Sequence, residues 1–340
     1  MTEFFPHPIL AIESSCDEMS AAVVIGRKIL PNVVDSQVSL HQKWGGVVPE
    51  MAARAHVESV IPVIDEAIQA SKIDSKELKG IAVTNRPGLI GSLSVGVIAA
   101  KSLSLSLNIP LIGIHHLEGH ILSTLAEEEN EPDFDIFPHL CLVASGGHTE
   151  LVEVIEPGKY NLVGQTLDDA AGEALDKSAR LLGFGYSGGK AIQESAANGD
   201  PHSYQLPIGI KKDPHNFSFS GLKTAVLRIV EKEGKNVHIP NLCASLQETV
   251  AKTLTEKTMK TAEKLGSKAV TLVGGVAANI RLRELLKENC EQRNLTFKTP
   301  RFKLCTDNAG MIGIAGSIRF AKNQTHDLDL DVYANADLPK

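Results

Sequence analysis

Apolar and polar positions along this chain change period in the same order twice. Residues 9–13, 19–26 and 29–40 read as three successive strands, rich in Ile, Val, Ala and Leu and separated by polar turns. Apolar positions at helical spacing follow over residues 50–71. A strand at 80–85, a helix at about 91–108, a strand at 111–114 and a short helix carrying two histidines complete this half. Pro62 lies inside the first of these helices and is expected to kink it, because proline removes a backbone donor and crowds the preceding turn. From residue 140 the order returns. Strands are predicted at 140–145, 150–155 and 160–166, with a helix at 168–182. Beyond a polar insertion, helices at 244–265, 279–293 and 307–321 alternate with strands at 269–274 and 296–300.

Three strands followed by alternating helices and strands, twice over, predict an α/β chain built as a duplicated ribonuclease-H-like fold. This is a two-lobed ATPase architecture. The expected organisation is an N-terminal lobe over residues 1–138, a C-terminal lobe over 139–322 with an insertion at 198–235, and an acidic tail over 323–340. The insertion, polar at both ends, reads as a subdomain or lid rather than core. A chain of 340 residues has room for two such lobes, and 43% hydrophobic with 22% charged residues is the composition of an ordinary globular protein. No apolar run of about 18 residues is expected to span a bilayer. The N-terminus carries Glu3 where a signal peptide needs basic residues, so a cytoplasmic protein is expected, with no membrane partner. The 5 cysteines are scattered without a CxxC pair, which argues against a disulfide framework or a zinc ribbon. A formal charge of −7 excludes nucleic-acid binding by global charge, although basic side chains crowd residues 281–303. That segment reads equally as a phosphate-binding surface or as a solvated helix face.

His116 and His120 carry the most chemical information. Four-residue spacing on a helix stacks two imidazoles on one face, the geometry of a divalent metal clamp, with a structural histidine pair as the alternative. Asp307, in Cys305-Thr-Asp307-Asn ahead of an apolar helix, offers a third ligand or a helix N-cap. Each half also has a polar or glycine-rich turn between its first two strands: Glu13-Ser-Ser-Cys-Asp17 in one, and Ala144-Ser145-Gly146-Gly147-His148 in the other. Paired glycines after Val143 let backbone N–H groups approach a phosphate, or simply make a hairpin turn. Gly274-Gly275-Val-Ala-Ala-Asn279 repeats the device where a strand meets a helix. Asp176 lies on a helical face with Asp169 and Glu173, placed to accept from ribose hydroxyls, and Gly189 ends a glycine-rich loop where backbone could pass a base. By its motif Asp17 is the carboxylate of the first turn best placed to act as a base, with Glu13 and Glu18 as substitutes and turn capping as its other role.

Ile12-Glu-Ser-Ser-Cys-Asp-Glu18, the histidine pair, Ser145-Gly-Gly-His-Thr149, Asp169 to Lys177, Ser218-Phe-Ser-Gly-Leu-Lys-Thr224, Gly274 to Asn279 and Cys305-Thr-Asp-Asn308 occur in this order. Together they resemble the TsaD family, the tRNA N6-adenosine threonylcarbamoyltransferases once called O-sialoglycoprotein endopeptidases (Gcp). The resemblance implies a fold of the actin-like, sugar-kinase-like ATPase superfamily and an acyltransferase acting on tRNA. It implies a divalent metal, Fe²⁺ favoured and Zn²⁺ possible, on His116, His120 and Asp307. It implies a threonylcarbamoyl-adenylate or adenine nucleotide held by Val143, Ala144, Ser145, Gly146, Gly147, Asp176, Gly189 and Asn279. Implied partners are a TsaB-like paralogue and a TsaE-like ATPase, with the adenylate supplied by a TsaC-like enzyme. One departure is Gln193, where the family pattern has Asp within a Gly-Gly-x-x-x-Asp spacing. A metalloprotease would need Glu directly after its first histidine, whereas this chain has His116-Leu-Glu118-Gly-His120. A small-molecule kinase of the same superfamily would need no histidine clamp, and a chaperone-type ATPase would show no tRNA-dependent turnover.

Overall fold

The computed structural model describes residues 2–127, 136–185 and 188–340. They fall into two compact units, residues 1–135 with 306–340, and residues 136–305.

The first unit contains β1 (Pro8–Glu13), β2 (Glu18–Ile25), β3 (Lys28–Ser36), α1 (Val38–Gln42), α2 (Pro49–Ser71), β4 (Ile81–Arg86), α3 (Ile90–Leu107), β5 (Leu111–His115) and α4 (His116–Leu122). Its sheet runs β3-β2-β1-β4-β5, with β1 antiparallel to β2 and parallel to β4. The second unit contains β6 (His139–Ala144), β7 (Thr149–Glu156), β8 (Lys159–Gln165), α5 (Ala171–Leu181), α6 (Gly188–Ala196), α7 (Ser220–Glu233), α8 (Ile239–Leu265), β9 (Ala269–Val273), α9 (Ile280–Gln292) and β10 (Thr296–Lys298). Its sheet has the matching order β8-β7-β6-β9-β10, again with an antiparallel hairpin beside a parallel crossover. The duplicated α/β fold is therefore present. In each sheet the central strand is buried along most of its length, which is why 9–12 and 140–144 read as unbroken apolar runs.

The last helix, α10 (Ala309–Ala321), corrects the expected lobe boundary at residue 322. It belongs to the first unit, where it lies on β1 and β2. The physical reason is its small residues: a side chain at Gly313 would collide with Val24 and Ala11, and one at Gly316 with Ala82. Nor is the stretch beyond it a loose tail, since His326 bridges to Leu111 and Leu330 is buried in the first core. The insertion at 198–235 likewise joins the second core rather than forming a lid. Phe217, Phe219, Leu222 and Val226 are buried in it, and α7 packs on α5.

Other boundaries moved for local reasons. β3 stops at Ser36 because the Gln37 carbonyl accepts from Leu40 and His41, which starts α1. α2 remains one helix of 23 residues through Pro62, and Glu58, whose carbonyl loses its partner there, lies on the exposed side. α5 begins at Ala171 rather than 168 because the Asp168 carboxylate is taken up by Ser218, Phe219 and Ser220. Part of the glycine-rich loop before α6, Tyr186 and Ser187, lies outside the described residues. One further expectation is corrected: Ile90–Leu107 is a helix of 18 residues, long and apolar enough to cross a membrane by length and composition. Here it packs on α2 and β4. All 5 cysteines are free.

Candidate functional site

β5 delivers His115 to the N-cap of α4, and the helix then carries His116 and His120 one turn apart. Their rings meet edge to face with centroids 4.7 Å apart. Asp307 arrives just ahead of α10, its Oδ1 lying 3.6 Å from His116 Nε2 and 3.1 Å from His120 Nε2. The N-cap of α10 is Asn308, which accepts from the Met311 amide at 3.1 Å. One ligand atom from each of the three residues lies within 4.8 Å of the others. The Asp307 side chain is 23% exposed while both histidines are buried, which leaves the cluster open on one side.

Behind the histidines sits Glu13, which the sequence did not single out as a support. Its Oε2 is 3.2 Å from His116 Nδ1, and its carboxylate accepts from the Ser15 amide at 2.6 Å and the Thr84 hydroxyl at 2.5 Å. Burial opposes charge on His116, but Asp307 and Glu13 outweigh it and raise its pKa to about 9. Burial pushes Glu13 up, yet the His116 ring beside it leaves the carboxyl below its ordinary range. Glu18 is raised to about 9 by burial, by Asp307 and by Asp17, to which it is hydrogen-bonded, so protonated Glu18 is the donor to Asp17. Asp17 itself is buried, 6% exposed. The residues fit a divalent cation. Two imidazoles and a carboxylate converge, and several acidic groups crowd them.

The turn holding Asp17 is supported by a buried relay that the sequence did not reveal. His41 Nδ1 accepts from the Val48 amide (3.3 Å), so its Nε2 donates to Gln37 Oε1 (3.1 Å). Gln37 Nε2 donates to His56 Nδ1 (2.8 Å), and His56 Nε2 donates to the Cys16 carbonyl (3.0 Å). Burial pushes the His56 pKa down, in keeping with a neutral ring. The available signal was a histidine at 56 within the apolar stripe Ala52, His56, Val60 of α2.

In the second unit the predicted phosphate loops lie at one end of the sheet, where β6 and β9 run parallel with Val143 opposite Val273. In the β6–β7 turn, the Ser145 amide donates to the His148 carbonyl (2.8 Å) and the His148 amide to Ser145 Oγ (3.0 Å). Open space surrounds the Cα hydrogens of Gly146 and Gly147. Gly274, at φ 92°, crosses against the Ala144 carbonyl, an approach that a side chain would block. The Gly172 amide donates to the Ser145 carbonyl at 3.2 Å. Val143 and Ala144 are fully buried, so only their backbone could meet a ligand.

Asp176 Oδ1 accepts from the Gly189 amide at 3.2 Å, and burial raises the Asp176 pKa against that bond. Asn279 caps α9 by accepting from the Leu282 amide (3.0 Å) and donates to Gln247 (2.9 Å). Gln193, the departure from the family pattern, accepts from the Ile280 amide at 2.7 Å and so ties α6 to the start of α9. Asp169 and Glu173 are both paired with Lys177. The basic segment 281–303 is largely engaged at home: Arg281 with Glu248, Arg293 with Glu263, and Arg283 on the Pro300 carbonyl, Cys305 Sγ and the Phe302 ring.

Solved structures share this architecture at low sequence identity, and they show the fold alone. T. kodakarensis HypF matches with a TM-score of 0.63 at 14% identity over 94% of this chain, which spans about half of it, 49%. Component A of Acidaminococcus fermentans (R)-2-hydroxyglutaryl-CoA dehydratase matches with a TM-score of 0.53 at 17% identity over 93% of this chain and 98% of that one. Sequence relatives are far closer. A protein of Symbiobacterium thermophilum named tRNA N6-adenosine threonylcarbamoyltransferase is 48% identical over 95% of this chain and 94% of its own length. One of Acaryochloris marina with the same name is 47% identical over 98% and 94%. Residues 28–314 match the model of the family described as TsaD: tRNA N6-adenosine threonylcarbamoyltransferase, which spans the histidine clamp, the glycine turns and Asp307 alike, and the chain belongs to that family of transferases.

Proposed function

We propose that this chain transfers the threonylcarbamoyl group of threonylcarbamoyl-AMP to the exocyclic amine of the adenosine 3′ to the anticodon, in tRNAs that read codons beginning with A, with release of AMP. The observation that carries this reading is the family match, which extends over residues 28–314 and so includes the proposed metal ligands and nucleotide-binding residues, while the turn with Glu13, Asp17 and Glu18 lies before it. A tRNA substrate implies action in the cytoplasm. The finer assignments are our own. His116, His120 and Asp307 hold one divalent metal, with Fe²⁺ favoured and Zn²⁺ possible. Ser145, Gly146, Gly147, Asp176, Gly189 and Asn279, with the backbone of Val143 and Ala144, hold the adenylate or an adenine nucleotide. A TsaB-like paralogue and a TsaE-like ATPase complete the working assembly, and a TsaC-like enzyme supplies the adenylate.

An exocyclic adenine amine is a poor nucleophile, so the chain must supply positioning, charge stabilisation and a route for the proton. The bound metal would contribute by polarising a carbonyl oxygen. Glu13 holds the His116 ring through Nδ1, which leaves Nε2 turned toward Asp307. Asp17 is the proposed base: Glu18, raised to about 9, donates to it rather than repelling it as a second anion. The relay from His41 to the Cys16 carbonyl fixes the turn from which Asp17 projects. In the glycine turn, backbone N–H groups meet phosphate oxygens, and the ionised Asp176 carboxylate accepts from ribose.

Nucleoside mass spectrometry of tRNA tests the reading. Cells depleted of this protein should lose threonylcarbamoyladenosine and regain it with the wild-type chain, but not with Asp17→Asn. Undiminished modified nucleoside after depletion would overturn the assignment.

A further inference from the structure

The C-terminal segment beyond residue 325 lies outside both the duplicated pattern and the family match, yet it is bonded into the first unit along its length. The His326 amide donates to the Leu111 carbonyl (2.7 Å), and its Nδ1 accepts from the Gly113 amide (3.1 Å). Leu330 enters the first core with Val332 packed against it. Asn85, near the end of β4, donates through Nδ2 to the Asp331 carbonyl (2.9 Å), and its own carbonyl accepts from the Tyr333 amide (3.0 Å).

From there two bonds approach the histidine clamp by separate routes. The Gly88 amide donates to the Ala334 carbonyl (3.2 Å). The next residue, Leu89, donates to the Ser15 carbonyl (2.8 Å), and Ser15 Oγ stands 3.1 Å from His116 Nδ1. Two residues on, the Ala336 carbonyl accepts from His115 Nε2 at 3.1 Å. A neutral imidazole has one donor and one acceptor, so this bond leaves His115 Nδ1 as the acceptor for the Leu117 amide, 3.2 Å away at the start of α4. Without the Ala336 carbonyl the Nε2–H loses that acceptor, and the ring loses one of its anchors.

We propose that residues 326–336 form a strap that positions the metal clamp, with His115 the positioning residue through which it acts. The proposal rests on the reading of His116, His120 and Asp307 as metal ligands. His115 supplies no ligand; it sets the direction in which α4 leaves the sheet and therefore where His116 and His120 point. The packing of α10 on α4 keeps the helix in place when the strap is cut, so the expected loss is of metal affinity rather than of fold.

The test is a Co²⁺ titration followed by visible ligand-field absorption. It uses five proteins: wild type, a chain ending at Ala334, His115→Asn, His115→Asn in the shortened chain, and His115→Ala. Asn is a good N-cap that can accept from Leu117 without needing Ala336. Ending at Ala334 removes the Ala336 carbonyl but keeps Leu330 and Tyr333. The shortened chain should bind Co²⁺ about 10-fold more weakly with unchanged far-UV circular dichroism, the loss typical of removing an outer support of a ligand. His115→Asn should bind within a few-fold of wild type, and shortening it should change nothing further, because the Ala336 carbonyl no longer has its donor at residue 115. His115→Ala, which lacks both bonds, should lose about 10- to 100-fold. Wild-type affinity in both the shortened chain and His115→Ala would overturn the strap, as would an equal loss on shortening the His115→Asn background. A wild-type chain that takes up no Co²⁺ would overturn the clamp itself, and the strap with it.

Discussion

The two units share a strand order and differ in what they place at the first turn of the sheet. Between β1 and β2 the first unit buries acid: Glu13 and Asp17 lie below the surface with Glu18 beside them, and Asp307 and Glu13 favour positive charge at His116. Between β6 and β7 the second unit exposes bare backbone, with open space around Gly146 and Gly147. One topology therefore serves opposite electrostatics. Buried carboxylates with imidazoles make a place for a cation, and free N–H groups on a glycine turn make a place for an anion. The supports differ as well. The first turn needs a relay of three buried side chains to hold it, whereas the second is held by its own backbone and by Ser145.

The largest expected effect tests the acidic turn. Asp17→Asn keeps the shape but removes the charge, and single-turnover transfer should fall by roughly two to four orders of magnitude while adenylate affinity changes little. A rate within a few-fold of wild type at saturating adenylate and tRNA would reduce Asp17 to a turn residue. The glycine turn gives the converse result. A Cβ at Gly147 has no heavy atom within 4 Å, so Gly147→Val should fold normally and obstruct only a ligand. Calorimetry should show nucleotide affinity weakened by at least about tenfold, or roughly 1.4 kcal/mol, with metal content unchanged. Unaltered affinity would move the nucleotide elsewhere.

An effect on stability rather than on binding separates the units by pH. His139, at the start of β6, is buried, which pushes its pKa down to about 4. The unfolded chain binds its proton near the ordinary value of 6.5. Stability from this residue is therefore complete above about 6.5 and is lost as pH falls toward 4, by about 2 kcal/mol at pH 5. His139→Leu should flatten the melting profile over that window. A profile that stays as steep would assign the acid sensitivity to other groups.

Much of this contrast was legible in the sequence, because glycine pairs and histidines four residues apart act locally. The less legible parts depend on tertiary contacts. Asp307 could be named as a ligand or a cap, and only the side chain of Asn308 turning onto Met311 separates the two roles. Helix α10 follows the second unit in chain order but packs on the first, since order along the chain does not record which sheet a stripe of small residues will meet. Glu13 read as part of a turn, and its role behind His116 arises across a sequence separation of 103. Gln193 stood out only as a departure. Its bond to the Ile280 amide gives it a structural function that no spacing implied.

The central claim is that the first unit holds the metal through His116, His120 and Asp307. Metal content by plasma mass spectrometry, measured on purified wild type and on the His116→Ala/His120→Ala double variant, tests it most directly. Ala is well tolerated on a helix, so the double variant should remain folded by circular dichroism. The account predicts close to one equivalent of metal in the wild type and essentially none in the variant. Undiminished metal in the folded variant would contradict it.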